Sequence, residues 1–355
     1  MDIKQELIKV NAKYPLMRTQ DYLKLLYQSE FLGGHLINDW QESYLRLQRE
    51  AETCFEGAFE GETLADDFLD ITRVNLRPFV AQNKDLYFLN CIFVTSANQA
   101  EGKIENLDVK LDALTELANA RKIDLPYFSL KREINEYKSQ NYPVLHHSYS
   151  YKKNYSPAYR VVKKVYWQLF EAIEEITKKL TCNRNLLIAI EGNSATGKTY
   201  FAKALQRYFN CNLISADDFF LPFEMRTEER LQQIGGNIHY ERLIPLLEKV
   251  KKGEPANYLA FDCHTGGYTP RHVDTNAMTI VEGCYSLHDA LKDKYDLALL
   301  ITANKAVRQR RIFLRDGAEM LQRFTAEWIP REDAFLKNLS IDGIPLLRLD
   351  TSQYD

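Results

Sequence analysis

The sequence predicts an α/β domain over residues 181–355, with a parallel sheet flanked by helices, preceded by a mainly α-helical domain over residues 1–150. Three observations lead to this prediction. Short apolar runs alternate with helical patterns in the second half, as they do in a parallel sheet. A glycine-rich motif follows the first of these runs. The first half is instead filled with apolar residues at helical spacing, and no internal repeat interrupts either half.

The composition is that of an ordinary globular protein of 355 residues, which is long enough for two domains with separate cores. The net charge of −3 provides no basic field for nucleic acid. The six cysteines are scattered and include no C-x-x-C pair, which suits a reducing compartment. No apolar run approaches the ~18 residues of a membrane span. We therefore expect a cytoplasmic protein without membrane or nucleic-acid partners; homo-oligomers remain open.

The first 150 residues are predicted to be mainly helical. The clearest apolar stripe consists of Leu107, Leu111, Leu114 and Leu117. The same spacing predicts further helices, marked by two triplets: Leu64, Phe68 and Ile71, then Leu130, Ile134 and Tyr137. The apolar run 86–94 fits either a buried helix or a strand. No residue pattern in this half indicates its role.

Residues 151–180 are predicted to be a linker followed by a connecting helix. The stretch 142–157 is rich in Tyr, Ser, Lys and His and has prolines near both ends. From Tyr159 to Leu180, an apolar stripe predicts one helix that leads into the second domain. Several lysines make this segment basic. A solvated helix face is a commoner reason for such charge than a nucleic-acid surface.

A phosphate-binding motif opens the second domain. Residues 192–199 read Gly-Asn-Ser-Ala-Thr-Gly-Lys-Thr and fit G-x-x-x-x-G-K-[ST], between a predicted strand at 186–190 and a predicted helix. Backbone amides of such a loop point at a phosphate, Lys198 reaches the terminal phosphates, and the Thr199 hydroxyl can ligate Mg²⁺. The sequence therefore predicts ATP or GTP binding with Mg²⁺. The predicted nucleotide-binding residues are Gly192, Asn193, Ser194, Ala195, Thr196, Gly197, Lys198, Thr199 and Tyr200.

The remaining elements of the second domain alternate between strands and helices. Predicted strands cover 211–215, 277–281, 297–301 and 344–349, and a helix ends at Gly253. Three carboxylates, Asp217, Asp218 and Glu282, follow two of these strands. Ligands bind at the carboxyl ends of parallel strands, so these groups are candidates for holding Mg²⁺ or orienting a hydroxyl acceptor.

Three arginines lie on one face of a predicted helix further along the chain. Arg308, Arg311 and Arg315 are spaced at i, i+3 and i+7. Such a stripe can cover phosphates and stabilise charge in a transition state. A solvated helix would also carry arginines, and both interpretations remain open from spacing alone.

The segment from about residue 186 to 339 resembles the uridine kinase family, within the wider group that includes phosphoribulokinase and bacterial pantothenate kinase. The segments that carry the resemblance are 192–199, 215–220 (Ser-Ala-Asp-Asp-Phe-Phe), 236–242, 258–265, 281–283 and 311–316. The resemblance implies a P-loop kinase domain. It also implies that Asp217 is the base on the acceptor hydroxyl and that Glu282 is a carboxylate associated with Mg²⁺.

The predicted site follows from the motif and the resemblance together. The predicted catalytic residues are Asp217, Lys198, Arg311 and Arg315, the last two as lid arginines. The predicted metal-associated residues are Thr199, Glu282 and Asp217. The predicted acceptor-binding residues are Asp217, Phe219, Tyr258, Phe261, Asp262, His264 and Arg271.

The sequence favours a kinase that transfers the γ-phosphate of ATP or GTP to a hydroxyl of a small metabolite, with a nucleoside such as uridine or cytidine preferred. One alternative is a non-nucleoside acceptor such as pantothenate, a sugar phosphate or glycerate. Another is a nucleotide-operated switch whose N-terminal half binds a partner. The acceptor itself is not given by the sequence.

Overall fold

The computed structural model describes residues 2–33, 36–55, 62–263 and 265–353. Its chain forms two compact units, Met1–Phe170 and Glu171–Asp355. The first unit ends at residue 170, whereas the helical domain was predicted to end at residue 150. It therefore includes residues 151–170 of the segment predicted to be a linker and connecting helix. Within the described ranges, no helix is long and apolar enough to cross a membrane.

The first unit is mainly helical, as predicted. Its helices are α1 (Ile3–Lys13), α2 (Thr19–Phe31), α3 (Trp40–Glu52), α4 (Leu76–Ala81), α5 (Leu86–Asn98), α6 (Ile104–Asn119), α7 (Tyr127–Ser139), α8 (Tyr149–Tyr155) and α9 (Lys164–Gln168). The leucine stripe of α6 is buried, with Leu107, Leu111 and Leu114 fully inaccessible to solvent. The ambiguous run 86–94 lies in helix α5. Burial of these apolar faces in one cluster stabilises the unit.

An antiparallel sheet in the first unit corrects two helix predictions. Its strands are β1 (Ala65–Phe68), β2 (Ile71–Asn75) and β3 (Tyr159–Lys163), with β2 in the middle. The helix predicted around Phe68 is wrong because Leu69 adopts a left-handed conformation (φ 53°) and turns the chain back into β2. The helix predicted to start at Tyr159 begins later, since the β-branched Val161 and Val162 pair with β2.

In the described residues, the second unit contains a five-stranded parallel sheet. Its strand order is β10-β9-β4-β8-β5. The strands of this unit are β4 (Leu186–Glu191), β5 (Asn212–Ser215), β6 (Ala256–Phe261), β7 (Tyr268–Val273), β8 (Met278–Glu282), β9 (Leu297–Thr302) and β10 (Leu346–Asp350). Every residue of β4 and β8 is buried, as expected for central strands covered on both faces. β6 and β7 form a separate antiparallel hairpin.

Helices and short turns accompany this sheet. The helices are α10 (Phe170–Cys182), α11 (Lys198–Phe209), α12 (Glu228–Gln232), α13 (Tyr240–Lys251), α14 (Lys305–Arg323) and α15 (Ile329–Lys337). Leu243 and Leu247 of α13 pack in one core with Leu187 of β4 and Val281 of β8. The strand–loop–helix at 186–209, set in a parallel sheet, confirms the predicted α/β P-loop fold. The carboxyl ends of β4, β8 and β5 lie side by side and position the site.

Candidate active site

The loop between β4 and α11 depends on its two glycines. Gly192 has φ +154°, and a Cβ added there would lie 2.1 Å from the carbonyl oxygen of Ile301. Gly197 has φ +98° and forms the N-cap of α11. Other residues rarely adopt these angles. The two glycines therefore let the loop turn from β4 directly into the N-terminus of α11, the setting in which such loops bind phosphate.

Lys198 is the first residue of α11 and is held over the loop. Its Nζ donates to the carbonyl oxygen of Asn193 at 2.9 Å and lies 3.3 Å from Sγ of Cys284. Burial works against its charge, but the neighbouring acids Glu191 and Glu332 keep the pKa of Lys198 above its usual value. Lys198 is thus a fixed cation beside the phosphate-binding amides.

Glu191 lies directly before the loop and is buried. It accepts hydrogen bonds from the amides of Gly192 (2.8 Å) and Leu287 (3.0 Å) and from the hydroxyl of Ser286 (3.2 Å). Burial raises its pKa to about 7, although these donors oppose the shift. Glu191 therefore ties the start of the loop to the segment after β8, a role that the sequence analysis missed.

Thr199 and Glu282 lie together at the ends of α11 and β8. Thr199 Oγ1 donates to Glu282 Oε2 at 3.0 Å, and Ser215 Oγ donates to Glu282 Oε1 at 3.1 Å. Hydroxyl and carboxylate oxygens are ligands that Mg²⁺ prefers. No group of three or more His, Cys, Asp or Glu side chains in the described residues forms a metal cage. The residues fit a Mg²⁺ ion that takes its other ligands from water and phosphate.

Asp217 follows β5 and lies at the same sheet edge as Glu282. The residue as a whole is exposed to solvent. Nevertheless, the protein atoms crowded around its carboxyl desolvate it and raise its pKa to about 6, with Glu282 and Asp218 adding to the rise and Lys198 opposing it. Asp217 is accessible to a substrate and more basic than an ordinary aspartate.

Two pairs of aromatic side chains join the segment after Asp217 to strand β6. Phe219 is buried and stacks on Tyr258 with ring centroids 5.1 Å apart, and the Tyr258 hydroxyl donates to Asp218 Oδ2 at 2.8 Å. Phe261 contacts Phe223 edge to face at 5.8 Å. The structure therefore brings Phe219 and Tyr258 together in one pair and Phe261 and Phe223 in another; these four rings are called the aromatic wall.

The other predicted acceptor residues that the structure describes lie on or near the β6–β7 hairpin, and they make no side-chain contact that it records with the four rings of the aromatic wall. Asp262 accepts a hydrogen bond from Thr265 at 2.9 Å, within the turn between β6 and β7. Arg271 is exposed on β7, opposite Tyr258 in the strand pairing. His264 lies outside the described residues.

Two arginines in the same region were not predicted. The guanidinium of Arg226 lies 4.6 Å from the ring centre of Phe223 and 5.9 Å from that of Phe261. Arg242 lies 5.4 Å from the ring centre of Phe219, and its buried Nη1 has no hydrogen-bond partner in the described chain. Arg226 lies outside the segments that carry the resemblance, and Arg242 ends one of them, 236–242, without a predicted ligand role. Both add positive charge to the aromatic wall.

The two predicted lid arginines differ in their contacts. Arg311 donates from Nη1 to the loop carbonyl of Ala195 at 3.2 Å and to Thr351 Oγ1 at 3.0 Å. Arg315 forms an ion pair with Asp316 at 2.7 Å. Its guanidinium also lies 5.9 Å from the ring centre of Phe324, the residue directly after α14. Arg311 therefore contacts the loop directly, whereas the contacts of Arg315 described here are with Asp316 and Phe324.

Helix α15 contributes two acids that the sequence analysis missed. Glu332 accepts from the backbone amide of Ser194 at 2.8 Å and from its hydroxyl at 2.5 Å. Asp333 accepts from Asn193 Nδ2 at 2.8 Å and from Arg308 at 3.1 Å. The contact positions are about 140 residues apart in the chain, so no local pattern could reveal them. Glu332 therefore places a negative charge against the loop amide of Ser194.

We expect Glu332→Gln to tighten ATP binding, because the variant removes an anion that competes with phosphate for the Ser194 amide. A tenfold fall in Kd corresponds to about 1.4 kcal/mol, the size of effect we expect. Titration calorimetry with Mg·ATP measures it. Glu327→Gln, an equal charge change at an exposed position just before α15, is the matched control. Unchanged or weaker binding of ATP by Glu332→Gln would show that Glu332 does not compete.

Comparisons with known proteins give structural likenesses only. No protein-family model matches the chain, and no curated protein matches it. A solved structure of a proposed fructose transport system kinase from Silicibacter sp. TM1040 has 16% identity and a TM-score of 0.43, and the match covers 50% of this chain and 97% of that one. For a proposed uridine kinase from Bacillus stearothermophilus, the values are 16% and 0.34, with 51% and 99% covered.

A third likeness is to a D-glycerate 3-kinase from Cryptococcus neoformans var. grubii serotype A. It has 13% identity and a TM-score of 0.41, and the match covers 52% of this chain and 94% of that one. Because all three TM-scores are below 0.5, these likenesses carry no weight for the function, which depends on the residues of the site.

Proposed function

We propose that the chain is a Mg²⁺-dependent kinase that transfers the γ-phosphate of ATP or GTP to a hydroxyl group of a small metabolite. The observation that carries the proposal is the meeting of three features at one sheet edge. These are the glycine loop with Lys198, the Thr199–Glu282 pair and the accessible, desolvated carboxyl of Asp217. Phosphoryl transfer needs these parts and little else from a protein.

Each side chain has a distinct task in this proposal. Loop amides and Lys198 hold the phosphates, and Arg311 holds the loop through Ala195. Thr199 and Glu282 would hold Mg²⁺, which neutralises the phosphate charge when bound. Asp217 orients the acceptor hydroxyl and accepts its proton. Arg315 would join the phosphates as a lid residue.

A nucleoside such as uridine or cytidine is the first candidate acceptor. The resemblance of segments 215–220 and 258–265 to the uridine kinase family supports it. The ring of Tyr258, which is partly exposed and stacks on the buried ring of Phe219, also supports it, because an accessible aromatic ring is suited to stacking with a base.

An acidic metabolite such as glycerate, a sugar phosphate or pantothenate is the second candidate. Arg226 and Arg242 favour it, because both lie against rings of the aromatic wall. Nη1 of Arg242 is buried and has no hydrogen-bond partner in the described chain. A guanidinium fork suits a carboxylate or phosphate better than a neutral nucleoside. Arg271 on β7 would add a further cation.

Direct product analysis tests the proposal and separates the acceptors. Purified protein is incubated with Mg·ATP or Mg·GTP and a panel of nucleosides, pantothenate, glycerate and sugar phosphates, and products are identified by mass spectrometry. Lys198→Ala provides the blank. We expect one acceptor to gain a phosphate that is absent from the blank. ADP release dependent on Lys198, without any phosphorylated acceptor across a broad panel, would instead support a nucleotide-operated switch.

The activity is expected to fall in acid, because Asp217 must be ionised to accept the proton. Its pKa is raised to about 6, so the acid limb of kcat/KM should lie at or just below pH 6 and fall about tenfold per pH unit below it. A pH profile from about 4.5 to 8, recorded at saturating Mg·ATP, measures this limb. Asp217→Asn should lack it. A wild-type profile that stays flat to about pH 5 would contradict the assignment.

A further inference from the structure

The segment after β5 carries an arginine on the acceptor side of the candidate active site. Arg226 follows the 3-10 turn Phe223–Met225, and its Nε donates to the carbonyl oxygen of Leu221 at 2.8 Å. Its guanidinium carbon lies 4.6 Å from the ring centre of Phe223 and 5.9 Å from that of Phe261. One hydrogen bond and two rings therefore hold this cation against the aromatic wall.

No acid pairs with this arginine in the described residues. Glu224 and Glu228, its nearest acids along the chain, are exposed and form no ion pair with it. Its second side-chain hydrogen bond is a long one, from Nη2 to Sγ of Cys263 at 3.8 Å. Burial raises the pKa of the Cys263 thiol, so this partner is neutral. Arg226 is half-buried, and Nη1 has no partner in the same part of the chain and reaches the surface, where an anion can meet it.

A second arginine contacts the aromatic wall from α13. The guanidinium of Arg242 lies 5.4 Å from the ring centre of Phe219 and 5.4 Å from that of Tyr268. Nη2 donates to the carbonyl oxygen of Leu259, and within the described ranges no carboxylate forms an ion pair with this side chain. Guanidinium groups stay protonated in proteins. The two arginines therefore give this side of the site two positive charges.

The proposed base lies in the same region as Arg226. Both Arg226 and Asp217 lie near Cys263, because the charges of both act on its thiol. Asp217 is accessible and suited to orient a hydroxyl group, which donates to a carboxylate. Arg226 is suited to the opposite kind of group, one that accepts hydrogen bonds and is negative. A small molecule with a hydroxyl at one end and an anion at the other matches this pair.

The other acids of this region already accept from hydroxyl groups. Asp218 accepts from Tyr258 at 2.8 Å, and Asp262 accepts from Thr265 at 2.9 Å. An ionised Asp217 would repel an anion bound directly beside it. The anionic group of an acceptor is therefore expected at the end that contacts the arginine, away from the hydroxyl that reacts.

We propose that Arg226 binds a carboxylate or phosphate group of the acceptor, so that the site selects acidic metabolites over neutral nucleosides. The proposal rests on the kinase function proposed for the second unit and names the acceptor class of the same site. The planar guanidinium fork donates to two oxygens of the anion, an arrangement that a neutral group does not match. Arg242 adds positive charge to this side of the site without a contact to the acceptor.

The bond changes in this proposal are those of a kinase. The acceptor hydroxyl gives its proton to Asp217 while its oxygen bonds to the γ-phosphorus of the nucleotide. The bond from that phosphorus to the β–γ bridging oxygen breaks and releases ADP or GDP. The anion at Arg226 takes no part in these changes, so its loss is expected to weaken acceptor binding more than it lowers kcat.

The acceptor specificity of the wild-type chain is the first test. Glycerate and pantothenate are each compared with their primary amides, and a sugar phosphate is compared with the free sugar. Uridine and cytidine are assayed beside them with Mg·ATP, and Lys198→Ala provides the blank. We expect one acid to be phosphorylated with kcat/KM at least about tenfold above that of its neutral counterpart. The carboxylate and phosphate pairs show which anion the site prefers.

Substitutions of Arg226 are the second test. Arg226→Met should raise KM for the acid about 10- to 100-fold, leave KM for the neutral counterpart and for ATP within about twofold, and so abolish the discrimination. Arg226→Lys keeps the charge without the fork and should lose part of it; it also replaces Arg226→Met if circular dichroism shows that variant unfolded. Arg184→Met, at an exposed position before β4, is the matched control and should discriminate like the wild type.

The outcomes separate this proposal from the kinase function on which it rests. A nucleoside phosphorylated in preference to every acid would overturn the proposal and leave the kinase function intact. The same holds for an acid whose advantage over its neutral counterpart survives in both Arg226 variants. ADP release without any phosphorylated acceptor would instead overturn the kinase function, and the proposal with it.

Discussion

Replacing Lys198 with alanine is expected to lower kcat for phosphoryl transfer by about 10³-fold, the loss typical of a group that stabilises transition-state charge. The Nζ atom is fixed on the loop by the carbonyl of Asn193 and lies beside Cys284. Surrounding negative charge holds its pKa above the usual value despite burial, so Lys198 stays charged across the working pH range. An alanine leaves that position without a cation when charge moves between the β- and γ-phosphates.

A rate assay on the acceptor found by mass spectrometry measures this loss, with ADP release followed in parallel. Lys203→Ala is the matched control, because it removes the same charge from an exposed position on the same helix, α11. We expect the control to keep the wild-type rate within about twofold, as surface substitutions usually perturb little. A Lys198→Ala enzyme with more than a tenth of wild-type kcat would contradict the role assigned to this lysine.

The phosphate-binding loop was predictable because its signal is local. Eight consecutive residues, a strand before them and a helix after them contain all the information, and the observed conformations of Gly192 and Gly197 are those that the motif requires. The proximity of Asp217 and Glu282 was predictable in a weaker sense. Parallel strands bring their carboxyl ends to one edge, so two residues that follow buried strands are expected to be neighbours.

Contacts that join distant segments were not predictable. Glu332 and Asp333 reach the loop from α15, and Arg226 and Arg242, for which the sequence predicts no ligand role, reach the aromatic wall. Each is one charged residue among many in the sequence. What selects them is the packing of the second unit, which a single sequence does not display.

The first unit shows a different limit. Apolar spacing of three to four residues predicted its helices, yet the same spacing around Phe68 belongs to a hairpin because Leu69 takes up a left-handed turn. The burial of Arg73 between β1 and β3 depends on pairing with a strand nearly 90 residues away, so it is a property of the fold.

Asp217→Asn is expected to lower kcat by 10²–10⁴-fold, the usual contribution of a positioned general base. The amide has nearly the same shape, so it can still accept a hydrogen bond from the acceptor, but it cannot take the proton. We therefore expect KM for the acceptor to change little while kcat falls. The crowded surroundings that raise the pKa of Asp217 to about 6 make the native carboxylate a better proton acceptor than an ordinary aspartate.

Steady-state kinetics of Asp217→Asn at saturating Mg·ATP, with the acceptor varied, separate kcat from KM. Asp218→Asn is the matched control: the neighbouring carboxyl accepts from the Tyr258 hydroxyl at 2.8 Å, and an amide oxygen can keep that bond, so its kcat should stay within about tenfold of wild type. An acid limb should persist in Asp218→Asn, moved to lower pH because the Asp218 charge no longer raises the pKa of Asp217, and it should vanish in Asp217→Asn. A near-normal kcat for Asp217→Asn would remove Asp217 from the mechanism and leave transfer to positioning by Lys198 and the loop amides.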